Sequence, residues 1–534
     1  MGITLWALDK LYGNTIAAQT RAHLAQVTNA QVNASRQRAT ALLQRLAAEP
    51  GPHVLLGQTE WGQSVKLPLE YLVQAHSAIS GSTGSGKTMA SLLIIDEILR
   101  ASESSLSLGV LDAKGELFER TLYLLGRRLA QLSSAAAERL KQRVVIVDLS
   151  SRDPLASYNI ASPWSGSDLD FFANSRVETL QDLLPSGDGF SLRGSSIVKH
   201  VLKLLAEHRL PFSYFHHTIS DDFFRTSLAD RSEDADTGSY FRHHFTNESR
   251  ATIAAVRARV ATTLFGSESL KLALSGQDAP DFRRLQDEGK IILINCSGPN
   301  ISRTTSRTLQ ALLVSDIRQA VFSRRNHRSF LWICDEAQNL FRTRQLRENM
   351  SDLLTMSRSY GSFFLYLTQN LSTATQDGEV LETLHTNTRW NLCMRGSPRD
   401  AAFLQMALPI TGRLEKPRRN PYAPAEFYSS SEERALLLSS MASLPDRYGW
   451  LWSKSLSGEA IKIKTAALEL PQGDEFRDAV ERIRSDASIG HRVSRETFLA
   501  EIARRNAELG TDSADGADPL DKLKTAYQEQ EIAG

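Results

Sequence analysis

Residues 76–100 read HSAISGSTGSGKTMASLLIIDEILR, and they decide how the rest of the chain is read. A short apolar run leads into a glycine-rich loop, and a helix-forming segment follows. Gly81, Ser82, Thr83, Gly84, Ser85, Gly86, Lys87 and Thr88 fit the pattern G-x-x-x-x-G-K-[ST] without a mismatch. The glycines let backbone N–H groups curl round the β- and γ-phosphates of a nucleotide without Cβ clashes. The helix that follows turns its positive end toward them. Lys87 reaches the terminal phosphates, and the Thr88 hydroxyl is suited to Mg²⁺. The loop predicts a site for ATP with Mg²⁺ between a strand and a helix.

Outward from the loop, short apolar runs recur: HVLLG at 53, LSLGVLD at 106, RVVIVDLS at 143, KIILINCS at 290, FLWICDE at 330 and FFLYLTQN at 363. NLCMRG at 391, GWLWSK at 449 and AIKIKT at 460 complete the series. Several are continuous rather than alternating, as expected of strands covered on both faces. Helical stretches separate most of them. The fold class expected is α/β, a RecA-like core with a mainly parallel sheet. Between residues 161 and 289 the strand runs stop, and SSIVKHVLKLLAEH and ESRATIAAVRARVATTLFG read as helices. We therefore expect a helical segment over 1–50, a discontinuous ATPase core over 51–160 and 290–470, an inserted all-α domain over 161–289, and a polar C-terminal region over 471–534 with an acidic tail. Pro50 and Gly51 mark the end of the first segment.

Bulk composition excludes some classes. The 62 basic and 61 acidic residues nearly cancel, so any nucleic-acid surface must be a local patch. Cys296, Cys334 and Cys393 show no paired spacing and sit in apolar runs, which argues against a disulfide framework or a zinc site. No run approaches the length of a membrane span, and the N-terminus lacks a signal-peptide pattern. The expectation is a cytoplasmic protein that meets the inner membrane only through partners.

A phosphate loop needs a carboxylate on a nearby strand. FLWICDEAQN supplies Asp335 and Glu336 at a strand end. Asp335 is suited to the Mg²⁺ shell, and Glu336 to orienting and deprotonating water. FFLYLTQN brings Gln369 to another strand end, where its amide can report the γ-phosphate. A further cation is needed in the transition state. Arg358, in TMSRSYG, is one candidate, with Arg389, Arg250, Arg257 and Arg259 as rivals.

The order of these motifs resembles the conjugation and type IV secretion coupling ATPases (TraG/TraD-like), with the HerA and FtsK motors more distant. The likeness rests on the phosphate loop, on VLDAKGELFERTLYLLGRR with its Asp-x-Lys-Gly-Glu at 112–116, and on RVVIVDLSSRDPLASYNIASP with its Tyr158–Asn159. DEAQN and TQN complete it, and it spans roughly residues 51 to 465. The resemblance implies a ring-forming, hexameric ATPase that moves DNA through a pore and works with a relaxase, a nuclease or secretion-channel proteins. It also implies that Arg358 acts in trans on an adjacent subunit. Coupling proteins usually carry N-terminal membrane helices, and no such helix is expected here.

Two basic runs are candidate DNA contacts: Arg318, Arg324, Arg325 and Arg328, then Arg413, Lys416, Arg418 and Arg419. Strandedness is not legible. Two other readings stay open: a motor that handles protein, and a nucleotide-dependent scaffold that recruits a nuclease or relaxase.

Overall fold

In the computed structural model, the residues described are 36–101, 106–182, 189–265, 268–299, 301–341, 344–369, 386–396, 416, 426–453 and 460–509. Among them, eleven strands form one sheet. In chain order they are β1 (His53–Thr59), β2 (Ser64–Pro68), β3 (His76–Ser80), β4 (Ser107–Asp112), β5 (Val144–Asp148), β6 (Ile291–Asn295), β7 (Phe330–Cys334), β8 (Ser362–Thr368), β9 (Thr388–Met394), β10 (Tyr448–Ser453) and β11 (Ile461–Thr465). Their order across the sheet is β2-β1-β11-β10-β9-β3-β8-β7-β4-β6-β5. The run from β9 to β5 is parallel throughout, and the remaining strands join it antiparallel at the β9 side.

The continuous apolar runs are explained by the two faces. Ile292 and Ile294 of β6, with Phe330 and Trp332 of β7, belong to one core. Ile291 and Leu293, with Leu331 and Ile333, belong to the other. Successive residues of a strand point to opposite faces, so a strand covered on both sides needs apolar residues at every position. The antiparallel wing is different: β1 and β2 alternate buried and exposed positions, because one of their faces is open. Strand β2 was not expected. SVKLP is short, polar at its centre and ends in proline, so it lacks the apolar run that marks the others.

Helices α1 (Lys87–Arg100) and α2 (Glu116–Gln131) cover one face. The helical residues 36–48 join them there, burying Ala39, Leu43 and Leu46. The other face carries the region between β5 and β6, where every described element is helical. Its longest members are α3 (Leu169–Asp182), α4 (Leu192–Glu207) and α5 (Arg250–Leu264). Helices α6 (Arg303–Phe322) and α7 (Arg344–Met356) pack between it and the sheet. After β11 come α8 (Gly473–Ser485), which packs on α2, and α9 (Arg495–Glu508).

A buried polar joint ties the helical region to the core. Asp316 on α6, 4% exposed, accepts hydrogen bonds from Tyr158 Oη (2.7 Å) and Trp164 Nε1 (2.5 Å), and pairs with Arg176 Nη2 at 2.6 Å. Arg176 also lies over the Trp164 and Phe172 rings. Asn159 bridges the carbonyls of Leu210 and Gln277. The Tyr158–Asn159 pair is thus a structural joint, and buried charge is tolerated because each group finds partners.

The three cysteines are buried and unpaired. No helix among the described residues is long and apolar enough to cross a membrane. The acidic stretch at 512–521 lies outside the described residues.

Candidate nucleotide-binding site

The parallel strands end level with one another. Ser80 of β3 is opposite Thr368 of β8, Cys334 of β7 is opposite Tyr366 of β8, and Leu111 of β4 is opposite Cys334. Residues just past these ends therefore gather along one edge: Gly81–Thr88, Gln369, Asp335, Glu336, and Asp112–Glu116. Open α/β sheets bind ligands at the carboxyl ends of their strands. Strand β8, which carries Gln369, lies between the phosphate-loop strand and the acidic strand. The sequence placed it only next in the chain.

The loop has the backbone that its glycines predict. Gly84 (φ 79°) and Gly86 (φ 110°) are left-handed, a region that disfavours side chains. A Cβ on Gly81 would come within 2.6 Å of Ser85 Oγ and 2.9 Å of Met394 Cβ. Lys87 is buried, with Nζ donating to the carbonyls of Gly81 (2.5 Å) and Ser82 (3.0 Å). Burial lowers its pKa, while Glu336 and Asp335 oppose that shift. Thr88 stands in the first turn of α1, and the Ser85 hydroxyl is buried with no hydrogen-bond partner.

Glu336 adopts a left-handed backbone (φ 50°), unusual for a side-chain-bearing residue. The residue is 8% exposed, and its carboxylate is heavily engaged. Gln369 Nε2 donates to Oε1 at 2.9 Å and Oε2 at 3.2 Å, Gln338 donates to Oε2, and Lys114 pairs with Oε1. Asp112 ends β4 and accepts from the amides of Lys114 and Phe118, both at 2.7 Å, which fixes the turn into α2. Asp335 has weaker support, from the Glu336 amide and the charge of Lys114. Burial, then the carboxylates of Asp112 and Glu336, push its pKa up to about 7.

The phosphate loop is braced by residues that sequence reading missed. The Ser82 amide donates to the Arg395 carbonyl at 2.6 Å, and the Arg447 amide donates to Ser85 O at 2.8 Å. Arg395 Nε lies 3.4 Å from Ser82 Oγ, and its Nη1 pairs with Asp446 at 2.8 Å. Arg447 is itself left-handed (φ 69°) and stands against Gly86. The contacts of Arg395 and Arg447 to the loop join segments more than 300 residues apart. The one signal was positional: Arg395 follows the apolar run NLCM, as Asp335 follows FLWIC.

Other expected residues lie elsewhere. Arg358 precedes β8, at the opposite edge of the sheet, and its charge is felt at His76, the first residue of β3. Five residues of β3, about 3.3 Å each, separate that edge from the phosphate loop. Arg389 is at the same far edge, bonded to Gln74, and Arg250, Arg257 and Arg259 lie on α5. Within the basic run at 318–328, Arg324 needs correction as a DNA contact. Arg324 is buried, pairs with Asp287 and donates to the carbonyls of Tyr360, Asn326 and Arg328. It closes the loop before β7 and is withdrawn from solvent. Arg318 pairs with Asp352. In the second run, Lys416 pairs with Glu432 at 3.0 Å, and Arg413, Arg418 and Arg419 lie outside the described residues.

A phosphate loop, the Gln369 strand beside it and an acidic strand beyond define a RecA-like P-loop nucleoside triphosphatase core with a helical insertion. Comparison with known proteins agrees. Residues 54–188 match the family model of the central domain of the helicase HerA, a stretch that includes the phosphate loop and ends before β7. The bacterial conjugative coupling protein TrwB, as its unbound TrwBdeltaN70 form, is 15% identical over 81% of this chain and 92% of its own, with a TM-score of 0.50. VirB4 of Thermoanaerobacter pseudethanolicus is 13% identical over 79% of this chain and 98% of its own, also at 0.50. TrwB has further been solved with ADP and Mg²⁺, at 14% identity, 81% and 93% coverage and a TM-score of 0.48. No curated protein sequence matches the chain. At these identities the structural likeness is one of fold. Together with the HerA match it agrees with the resemblance to coupling ATPases drawn from the motifs.

Proposed function

We propose that the protein is an ATP-hydrolysing motor that moves DNA, with Lys87, Thr88, Asp335, Glu336 and Gln369 as its hydrolytic set. The observation that carries the hydrolytic part is the meeting of all five on one sheet edge, with Gln369 bonded to Glu336. The site fits a nucleotide with a divalent cation on its own terms. Gly81 packs too tightly on Ser85 and Met394 to carry a Cβ, Ser85 Oγ is an unused buried donor, and Asp335 lies near two other carboxylates. Thr88 and Asp335 would hold Mg²⁺, which supplies positive charge to the phosphate oxygens. Lys87 exchanges the loop carbonyls for the terminal phosphates. Glu336 orients water and takes its proton, and Gln369 links that carboxylate to the phosphate end of the nucleotide.

Movement of DNA rests on the motif resemblance and the HerA match. A homo-hexamer is proposed on the same ground, with Arg358 serving the neighbouring subunit. Its far-edge position is compatible with action in trans. The assay is displacement of a triplex-forming strand from duplex DNA, with Glu336→Gln as control. The proposal expects ATP-dependent displacement, and turnover in the variant lower by about 100-fold or more. Wild-type turnover with no displacement on any DNA would favour the protein-handling motor. Unchanged turnover in Glu336→Gln would refute the assignment of the base.

A further inference from the structure

Lys114 is not needed by the hydrolytic set, yet it touches it. Its backbone is fixed by the amide bond to Asp112 and by left-handed Gly115 (φ 88°). Its side chain is half-exposed, at 47%. Its ammonium pairs with Glu336 Oε1, the atom that also receives Gln369. Lys87 feels the charges of Lys114, Asp335 and Glu336 together, so both ammonium groups lie close to the acidic pair.

With Gln338 on Oε2 and Gln369 bridging both oxygens, the Glu336 carboxylate has donors on each oxygen. A carboxylate so engaged has little capacity left to accept a proton from water. Both lysines are parked: Lys87 on loop carbonyls, Lys114 on Glu336. A phosphate dianion between them competes for each, because charge-assisted bonds to phosphate are strong. Lys114 stands with Glu336 on the acidic side of the site and Lys87 with the phosphate loop, so Lys114 would meet the outermost phosphate of a bound triphosphate.

We propose that Lys114 is the terminal-phosphate contact of this site, and that in the nucleotide-free chain it masks Glu336. Arrival of a triphosphate draws the ammonium off the carboxylate, so phosphate recognition and release of the base are one event. This deepens the hydrolytic reading of Glu336 and rests on it.

The test is equilibrium binding of a fluorescent non-hydrolysable ATP analogue and of fluorescent ADP, with Mg²⁺, to the full chain. Lys114→Met should weaken the triphosphate by about 10-fold, the loss of one charge-assisted contact, and leave ADP within about twofold. Lys114→Arg should keep most of the preference. Glu336→Gln should bind the triphosphate more tightly than wild type, and that gain should vanish in the double variant with Lys114→Met. Equal weakening of both nucleotides by Lys114→Met, or no weakening, would overturn the proposal, as would a Glu336→Gln gain that survives without Lys114. Because the readout is affinity, it is separate from the hydrolytic reading, which fails instead if Glu336→Gln retains wild-type turnover. Thermal melting of each variant confirms folding, which a half-exposed side chain should not disturb.

Discussion

Asp335→Asn should stabilise the nucleotide-free protein at pH 8, although it removes a residue of the proposed hydrolytic set. In the fold, burial and the neighbouring Asp112 and Glu336 carboxylates raise Asp335 from its ordinary 3.8 to about 7. A raised acid works against folding wherever the unfolded chain would be ionised. The penalty is absent below about pH 4, grows as pH rises, and levels off above pH 7. At about 1.4 kcal/mol per pK unit, the plateau is on the order of 4 kcal/mol as an upper bound, and roughly 2 kcal/mol of it develops between pH 5.5 and pH 8. Asparagine has no such penalty. The assay is urea denaturation of both proteins at pH 5.5 and pH 8 without nucleotide or metal. The variant's advantage should be larger at pH 8. An advantage that is independent of pH, or larger at pH 5.5, would refute the reasoning that burial and the neighbouring carboxylates outweigh the cations near Asp335.

Other consequences follow from the same geometry. Asp316→Ala leaves Arg176, 1% exposed, without its partner and should cost roughly 3–5 kcal/mol in denaturant titration. A loss under 1 kcal/mol would show that the joint does not hold the helical region. Gly109→Ala would set a Cβ 2.3 Å from the Trp332 ring, so it should destabilise by about 2 kcal/mol and disturb β4 and β7 together, with lower melting temperature and weaker nucleotide binding. If Arg358 acts in trans, mixing inactive Arg358→Ala with inactive Lys87→Ala should restore part of the turnover, since some interfaces then pair an intact loop with an intact arginine. No restoration at any mixing ratio contradicts the trans assignment.

Much of the core was legible because its strands are buried on both faces. That writes an unbroken apolar run into the sequence, as in RVVIVD or KIILIN, and Asp335 and Glu336 interrupt such a run at its end. The phosphate loop was legible because its geometry demands glycine at fixed positions. Strand β2 escaped because it has an open face and little apolar content. Arg395 and Arg447 escaped because their contacts to the loop span more than 300 residues, and spacing reports only local geometry. Arg324 was misread for a related reason. A basic run looks the same whether its members face solvent or, like Arg324, satisfy the carbonyls of a buried loop. Lys114 was visible only as a letter in a motif, because its partner Glu336 lies on another strand.

The central claim is that nucleotide hydrolysis at this edge drives movement of DNA. The most direct measurement is the steady-state ATPase rate of the purified protein, alone and with single- or double-stranded DNA, using Lys87→Ala as the blank. The account predicts turnover that rises strongly with one DNA form and disappears in the blank. Turnover that is abolished in the blank but indifferent to both DNA forms would contradict it.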